Sequence, residues 1–269
     1  MERRNRNIWI AVIVVIVLGC CCVAAIAAGA LGWFVTRVDR AQVDPEILVL
    51  FPRTSEQLEE TFQVGESPYL EIRNFAGEIT VRPGQDNVIH VVATKGASKT
   101  SSLDRITVSM SEQGDRVVIR TKKANNLGSG HVNLDITAPP GTEMDVHTGA
   151  GSLKFRDMTG SIRANSGAGE IEARGAAGPV RLGVGAGSIR YEGTPAGHCS
   201  FETGAGDIRL RLPERPDVRV DLGTGLGTID IDYDVDGSTS PRDVTGVIGA
   251  GDAASIYAHT GLGNISVRP

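Results

Sequence analysis

A run of aspartates near the end of the chain has the spacing of a calcium-binding loop. Asp232, Asp234 and Asp236 stand at positions 1, 3 and 5, Gly237 at position 6 and Asp243 at position 12. Carboxylates at this spacing, with a glycine that permits a sharp turn, supply the hard oxygen ligands that Ca²⁺ prefers. Asp243 replaces the usual glutamate, and the run also fits a strand end with water-facing aspartates and a polar turn. The sequence predicts calcium as its one possible cofactor.

Glu172, Arg190 and Arg209 form a second set of chemically capable residues, because they occupy equivalent positions in successive repeats. Some β-helical polysaccharide lyases and hydrolases use carboxylates and basic residues on one face. Opposite charges at such positions also fit a solvated face with ion pairs. The five histidines form no Ser/His/Asp or Cys/His grouping by their spacing. We therefore predict that the protein is not an enzyme and has no catalytic residues.

A glycine phrase repeated along the second half of the chain determines which elements carry these residues. Each copy has two glycines around a small or aliphatic residue, followed by a polar and an aliphatic residue. The copies begin at residues 149, 167, 185, 204, 225 and 261, so the usual step is 18 to 21 residues and the last step is doubled. A fixed period of this kind is typical of a solenoid, which offers outward ladders of side chains rather than a closed pocket.

Each repeat contains two short runs of alternating apolar and polar residues, the period of strands with one buried face. The second runs give an inward column of Leu153, Ile171, Ile189, Ile208, Ile229 and Ile265. The first runs give an inward column of Met144, Ile162, Val180, Cys199, Val218 and Ile256. The outward column of the second runs contains Lys154, Glu172, Arg190, Arg209, Asp230 and Ser266. We predict an all-β fold, a single-stack β-solenoid or β-helix with two short strands per coil of about 18 residues, preceded by one transmembrane α-helix.

The predicted solenoid covers residues 61–269, with irregular wider coils over 61–141 and tight Gly-x-Gly repeats over 142–269. The chain stops two residues after the last inward position, Val267. An uncapped terminal coil exposes a strand edge that invites pairing. We therefore expect either a homo-oligomer formed through the edge of the C-terminal coil or cover of that edge by the excursion over residues 233–253.

The N-terminal part of the chain has the pattern of a membrane anchor. Residues 8–35 are almost wholly apolar, Trp9 and Trp33 bracket them, and three arginines lie in the preceding tail of residues 1–7. The positive-inside rule puts that tail in the cytoplasm and the repeats outside. A lipobox-like run ending at Cys20 and a signal-peptidase-like site at Ala25–Ala27 leave cleavage or lipidation open. Residues 36–60 read as a juxtamembrane linker.

Composition disfavours nucleic acid as a partner and excludes a disulfide within the repeat domain. The formal net charge of −5 disfavours nucleic acid, which requires a basic footprint. Cys199 is the one cysteine outside the apolar segment, so a disulfide within the repeat domain is impossible. Its place beside alternating apolar residues predicts a buried small hydrophobe.

The glycine phrase, the preceding apolar anchor and the opening Asn74-Phe-Ala-Gly-Glu-Ile-Thr-Val81 resemble the bacterial putative-adhesin family of β-strand repeat domains. The resemblance covers residues 61–269. It implies surface attachment and supplies no active-site residues. Related domains in envelope-stress systems of Gram-positive bacteria imply a second kind of role.

We therefore predict a membrane-anchored, extracytoplasmic, non-catalytic module for surface binding, adhesion or structure. Its partners are the membrane, through residues 8–35, and an unknown envelope or surface protein or glycan. The first alternative is a regulatory or sensing module of an envelope-stress response. The second alternative is an enzyme that acts on cell-wall glycans.

Overall fold

The computed structural model describes residues 54–125 and 129–269, which lie in one compact unit, Pro52–Pro269. In the described residues the fold is all-β, with 21 strands and one four-residue helix, α1 (Thr100–Leu103). The strands of the first half are β1 (Thr54–Gln63), β2 (Tyr69–Asn74), β3 (Ile79–Pro83), β4 (Val88–Ala97), β5 (Ile106–Gln113), β6 (Arg116–Lys123), β7 (Gly130–Ala138), β8 (Glu143–Ala150), β9 (Leu153–Arg156) and β10 (Ile162–Ala168). Those of the second half are β11 (Ile171–Ala176), β12 (Val180–Ala186), β13 (Ile189–Gly193), β14 (Gly197–Ala205), β15 (Ile208–Arg211), β16 (Val218–Leu226), β17 (Ile229–Ile231), β18 (Asp236–Thr239), β19 (Asp243–Ile248), β20 (Ala254–Leu262) and β21 (Ile265–Arg268).

The strands form two large mixed sheets. The ten-stranded sheet has the order β1-β4-β7-β3-β9-β11-β13-β15-β21-β17. The eleven-stranded sheet has the order β18-β19-β16-β20-β14-β12-β10-β8-β2-β6-β5. The repeats supply the parallel centre of both sheets, because each short run pairs with the same run of another repeat, which is the next one along the chain except at β14 and β15. Antiparallel pairs flank this centre. They are β1–β4 in the ten-stranded sheet, and β5–β6 and β18–β19 in the eleven-stranded sheet.

The predicted fold class, a single-stack β-solenoid preceded by a transmembrane helix, is therefore wrong. Two mixed sheets of 10 and 11 strands replace the uniform stack, because the segments without the glycine phrase turn back on themselves. No helix in residues 54–125 and 129–269 is long and apolar enough to cross a membrane, and the segment 8–35 lies outside the described residues. Residues 54–60, which the sequence placed in a linker, belong to β1.

The parallel register predicted for most repeats is confirmed, with one strand displaced. Ile162 stands beside Met144 and Val180, and Ile171 beside Leu153 and Ile189. The strand β16 is two residues away from its predicted register, because Val220 and not Val218 faces Ile256. Counting back five residues from the first glycine of each phrase gives the observed register for every repeat.

The C-terminal strands do not form the exposed edge that the sequence suggested. The strand β20 lies between β14 and β16, and β21 lies between β15 and β17. The hairpin β18–β19, which lies within the excursion over residues 233–253, pairs along β16 and not along the C-terminal strands β20 and β21. At this end of the domain the edge strands are β17 and β18.

The glycine phrase forms the corner at which the chain passes from one sheet to the other. In each phrase the second glycine has a φ in the left-handed region, +139° at Gly187. A Cβ on Gly187 would lie 1.7 Å from the Gly169 carbonyl oxygen of the repeat below. Only glycine therefore allows adjacent corners to approach at the spacing that the two sheets require.

Buried hydroxyl groups stabilise the same corners. The residue before the phrase is Thr or Ser in five of the six copies, and its hydroxyl reaches a carbonyl near the corner. Thr203 Oγ1 donates to the Gly187 oxygen at 2.9 Å, and Thr260 Oγ1 to the Gly206 oxygen at 2.9 Å. Between the sheets, the inward columns form the core with Phe155, Tyr191 and Phe201 among its largest fully buried side chains.

Candidate ligand-binding grooves

The four aspartates of the predicted calcium loop are not gathered around one point. The Asp232 carboxylate accepts a hydrogen bond from Arg268 Nη1 at 2.5 Å. Asp236 stands opposite Val247 at the open end of the β18–β19 hairpin, whereas Asp243 stands at its turn. Four residues of strand, about 13 Å at ~3.3 Å per residue, separate the two ends.

The segment from residue 236 to residue 248 forms a hairpin. The Ser240 and Asp243 backbones are hydrogen bonded across its turn, with a distance of 2.8 Å from the Ser240 nitrogen to the Asp243 oxygen. In the described part of the chain, no group of three or more His, Cys, Asp or Glu residues is placed to hold a metal ion. Calcium binding at Asp232, Asp234, Asp236 and Asp243 stays a prediction, and the alternative of a polar turn matches this geometry.

A basic groove of about 370 Å³ crosses the outer face of the ten-stranded sheet. We call it the arginine groove and define it by all the residues that line it: Arg174, Arg190, Tyr191, Glu192, Arg209, Leu210, Arg211, Ser266 and Arg268. The side chains of Tyr191 and Leu210 are buried in the core, so their backbone forms the floor. Five arginines and one glutamate are therefore the charged residues among those that line the groove.

Parallel register creates this concentration of arginines from residues that are far apart in sequence. Arg190 and Arg209 are direct neighbours on β13 and β15, and Ser266 follows on β21. The neighbouring outward column contains Arg174, Glu192, Arg211 and Arg268, in that order across β11, β13, β15 and β21. Adjacent members of one column are about 4.8 Å apart, the spacing of paired strands.

Four of the five arginines already have carboxylate partners. Arg174 pairs with Glu172, Arg190 with Glu170, and Arg209 with Asp207. Arg268 contacts both Asp230 and Asp232. The side chains of these four arginines are 47–53% exposed, so such pairs contribute at most about 1 kcal/mol each and can be exchanged for a ligand.

Arg211 differs from the other arginines of the groove. It is exposed, and in the described part of the chain it has no ion-pair partner within 4.0 Å. Glu192 and Arg268 are its strand neighbours. Arg211 therefore supplies a positive charge that the protein leaves uncompensated.

The predicted strip Glu172, Arg190 and Arg209 is brought together, since the three residues are successive neighbours on β11, β13 and β15. The next neighbour of Arg209 is Ser266, not Asp230 as the linear order of repeats suggested. The second column, which contains Arg174, Arg211 and Arg268, was not predicted from the sequence. The signal was present, because each of these arginines follows the second inward residue of its strand.

A second, more open groove of about 750 Å³ crosses the eleven-stranded sheet. His147 and His259 stand in one outward column, with Asn165, Gly183 and Glu202 between them. Each histidine contacts a carboxylate, with 2.8 Å from His147 Nε2 to Asp145 Oδ1 and 3.1 Å from His259 Nε2 to Asp221 Oδ1. Because glycines replace side chains in the middle, the groove is shallow and polar.

The titratable groups with shifted pKa values have structural partners. Hydrogen bonds from Arg116, and further contacts with Arg120 and Arg73, lower the pKa of Glu71 although its burial opposes this. Burial raises the pKa of the Tyr191 hydroxyl and of the Cys199 thiol. The hydroxyl lies 3.4 Å from the Ala176 oxygen, and the thiol is buried as the sequence predicted. These groups belong to the core and to an ion-pair network on β2, and none is a side chain exposed in either groove.

The chain is similar to some solved structures, but no comparison assigns it to a protein family. No protein-family model matches the chain, and no curated protein matches it. Among solved structures, a putative cell adhesion protein from Clostridium sporogenes is 13% identical with a TM-score of 0.47, covering 79% of this chain and 99% of that one. A putative adhesin from Bacteroides fragilis is 11% identical with a TM-score of 0.31, covering 79% and 97%. These neighbours have the description that the sequence resemblance suggested, but at such scores they carry no argument about function, and membership of that family stays a prediction.

Proposed function

We propose that residues 54–269 form a non-catalytic surface-binding module that holds an extended ligand against an outer sheet face. The arginine groove is the observation that carries this proposal, because residues of the successive strands β11, β13, β15 and β21 line it and its arginines are exposed to solvent. A groove of this form suits a chain-like ligand better than a small substrate, which proteins usually enclose.

The proposed location is the outer side of the cell membrane. Support comes from the sequence, in which residues 7–35 carry no charge and arginines precede them. The described domain carries many charged side chains on its outer faces, which suits an aqueous compartment. Protease treatment of intact cells that express the full chain tests this location, since cleavage within 54–269 requires exposure outside.

The binding function is tested with the full-length chain in detergent, immobilised and probed with a panel of bacterial envelope polymers and surface proteins. We expect retention of at least one extended polymer without its breakdown. Release of sugar fragments, lost in Glu172→Gln, would instead establish the enzyme alternative. A chain that retains no member of the panel would contradict the proposal.

A further inference from the structure

We propose that the arginine groove binds a linear anionic polysaccharide, through guanidinium contacts to carboxylate, sulfate or phosphate groups on successive sugars. This inference rests on the proposed binding function and names its ligand class. Guanidinium forks match the planar or tetrahedral oxygen groups of such anions and bind them with paired hydrogen bonds. Their concentration is unexpected in a chain whose formal net charge is −5.

The arrangement of the groove selects a linear ligand. Arg190 and Arg209 stand on adjacent strands in one column, and Arg211 and Arg268 stand on adjacent strands in the other. A polymer that crosses the strands therefore meets at least one guanidinium at each step of about 4.8 Å, and at β15 it meets one on each side, from Arg209 and Arg211. Ser266 follows Arg209 in the first column and adds a hydroxyl that can bond a sugar hydroxyl.

Charge complementarity within the groove concerns two residues above all. Arg211 is the uncompensated cation, so an anionic group placed there replaces water and no protein partner. Glu192 is the one acidic residue that lines the groove, and it stands beside Arg211 in the ladder. An anionic ligand is therefore attracted by the first and repelled by the second, and the two substitutions have opposite expected signs.

Nucleic acid fits this groove less well than a polysaccharide. Single-stranded nucleic acid is held by exposed aromatic rings on which bases stack, and the one aromatic residue of the groove, Tyr191, is buried.

The test measures binding of fluorescently labelled polymers to the full-length chain in detergent at low salt. The probes are a polyuronate, a sulfated dextran, a phosphate-bearing glycan, neutral dextran and single-stranded DNA. We expect one or more of the three anionic polysaccharides to bind more tightly than dextran and DNA, with affinity that falls as salt rises. Comparison of the three anionic polysaccharides shows whether the groove recognises carboxylate, sulfate or phosphate groups.

Three variants locate the site. Arg211→Gln is expected to weaken binding about three- to tenfold, and Glu192→Gln to strengthen it about two- to fivefold, as charge-assisted contacts of about 1 kcal/mol imply. Arg219→Gln is the matched control, an exposed arginine on the eleven-stranded sheet, and should leave affinity unchanged. Thermal unfolding checks that all three variants fold as the parent does.

Several outcomes overturn the inference. Equal binding of dextran and anionic polymers, tighter binding of DNA, or equal loss in the Arg211 and Arg219 variants would each do so. A ligand whose affinity is insensitive to both Arg211→Gln and Glu192→Gln would preserve the proposed binding function and refute this site for it. Absence of binding to every probe here and to the whole envelope panel would refute both proposals.

Discussion

Substitution of Gly187 by alanine tests the account of the corners most directly. The φ of +139° lies in a region that is nearly restricted to glycine, and another residue there costs about 1–3 kcal/mol. The added Cβ would lie 1.7 Å from the Gly169 oxygen, far inside van der Waals contact. The corner must therefore move by roughly 1.5 Å against a strand spacing of ~4.8 Å.

Such a displacement affects ladder hydrogen bonds on the other side of Gly187. The Gly187 nitrogen donates to the Ala205 oxygen at 2.8 Å, and the Ile189 nitrogen to the Asp207 oxygen at 3.0 Å. Their weakening adds about 1 kcal/mol each, so we expect a total destabilisation of about 3–5 kcal/mol. At about 2–4 °C per kcal/mol for a domain of this size, the melting temperature should fall by about 6–20 °C.

Circular dichroism melting of the full-length chain in detergent measures this effect. Gly141→Ala is the control, because no heavy atom lies within 4 Å of the position of its added Cβ. Its free energy of unfolding should stay within about 0.5 kcal/mol of the parent or rise slightly. If Gly187→Ala melts within about 2 °C of the control, less than the shift expected for 1 kcal/mol, the corners are not in the close contact described and the reasoning is refuted.

Three further predictions concern the corners, the ion network and calcium. Val184→Thr should raise the free energy of unfolding by about 0.5–1 kcal/mol in urea melts, because the hydroxyl reaches the Gly169 oxygen as Thr203 reaches Gly187; a decrease would contradict the hydroxyl column. Glu71→Gln should destabilise the domain at pH 7, since contacts with Arg116 lower the Glu71 pKa below its ordinary 4.5. That stabilisation is present above the unfolded-state pKa of Glu71 and disappears as pH falls through its folded-state pKa. The melting temperatures of parent and variant should therefore converge in acid. A difference that persists at pH 2 would refute this cause. Isothermal titration should detect no calcium binding at micromolar concentrations, because the hairpin separates Asp236 from Asp243; a tight site would show that the loop rearranges around the ion.

Local patterns in the sequence predicted the parallel centre of the domain because each strand there is specified by its own repeat. Alternation determined which side chains are buried, and the phrase fixed the register of Ile162, Ile171 and their neighbours. The strands β2 and β3 also pair in parallel with β8 and β9, but the prediction failed for the longer strands β1, β4 and β5, which lack the phrase and pair in antiparallel fashion. No local sequence pattern determines whether such strands pair in parallel or form hairpins. The strands β5 and β6 form a hairpin that turns at Gly114, which has a φ of +60°.

The site was only partly predictable for a related reason. The column Glu172, Arg190 and Arg209 follows from register within consecutive repeats, and the structure confirms that these residues are neighbours. The place of Arg268 beside Arg211 depends instead on the order of strands in the sheet, which consecutive stacking predicted incorrectly. The calcium hypothesis failed to gain support because aspartate spacing alone does not distinguish a loop from a hairpin.

The insertion of the last two strands is what completes the arginine groove. If β16 and β17 had followed β14 and β15 directly, the neighbour of Arg211 would be Asp232 and that of Arg209 would be Asp230, as the repeat order implies. Insertion of β21 places Ser266 and Arg268 there and moves the two aspartates one strand further, where they pair with Arg268. The doubled final step of the glycine phrase provides the hairpin β18–β19 and lets the chain return between two earlier strands. As a result, the strand neighbour of Arg211 is a basic residue, Arg268, and not an acidic one. The unusual strand order thus has a direct electrostatic consequence at the proposed site.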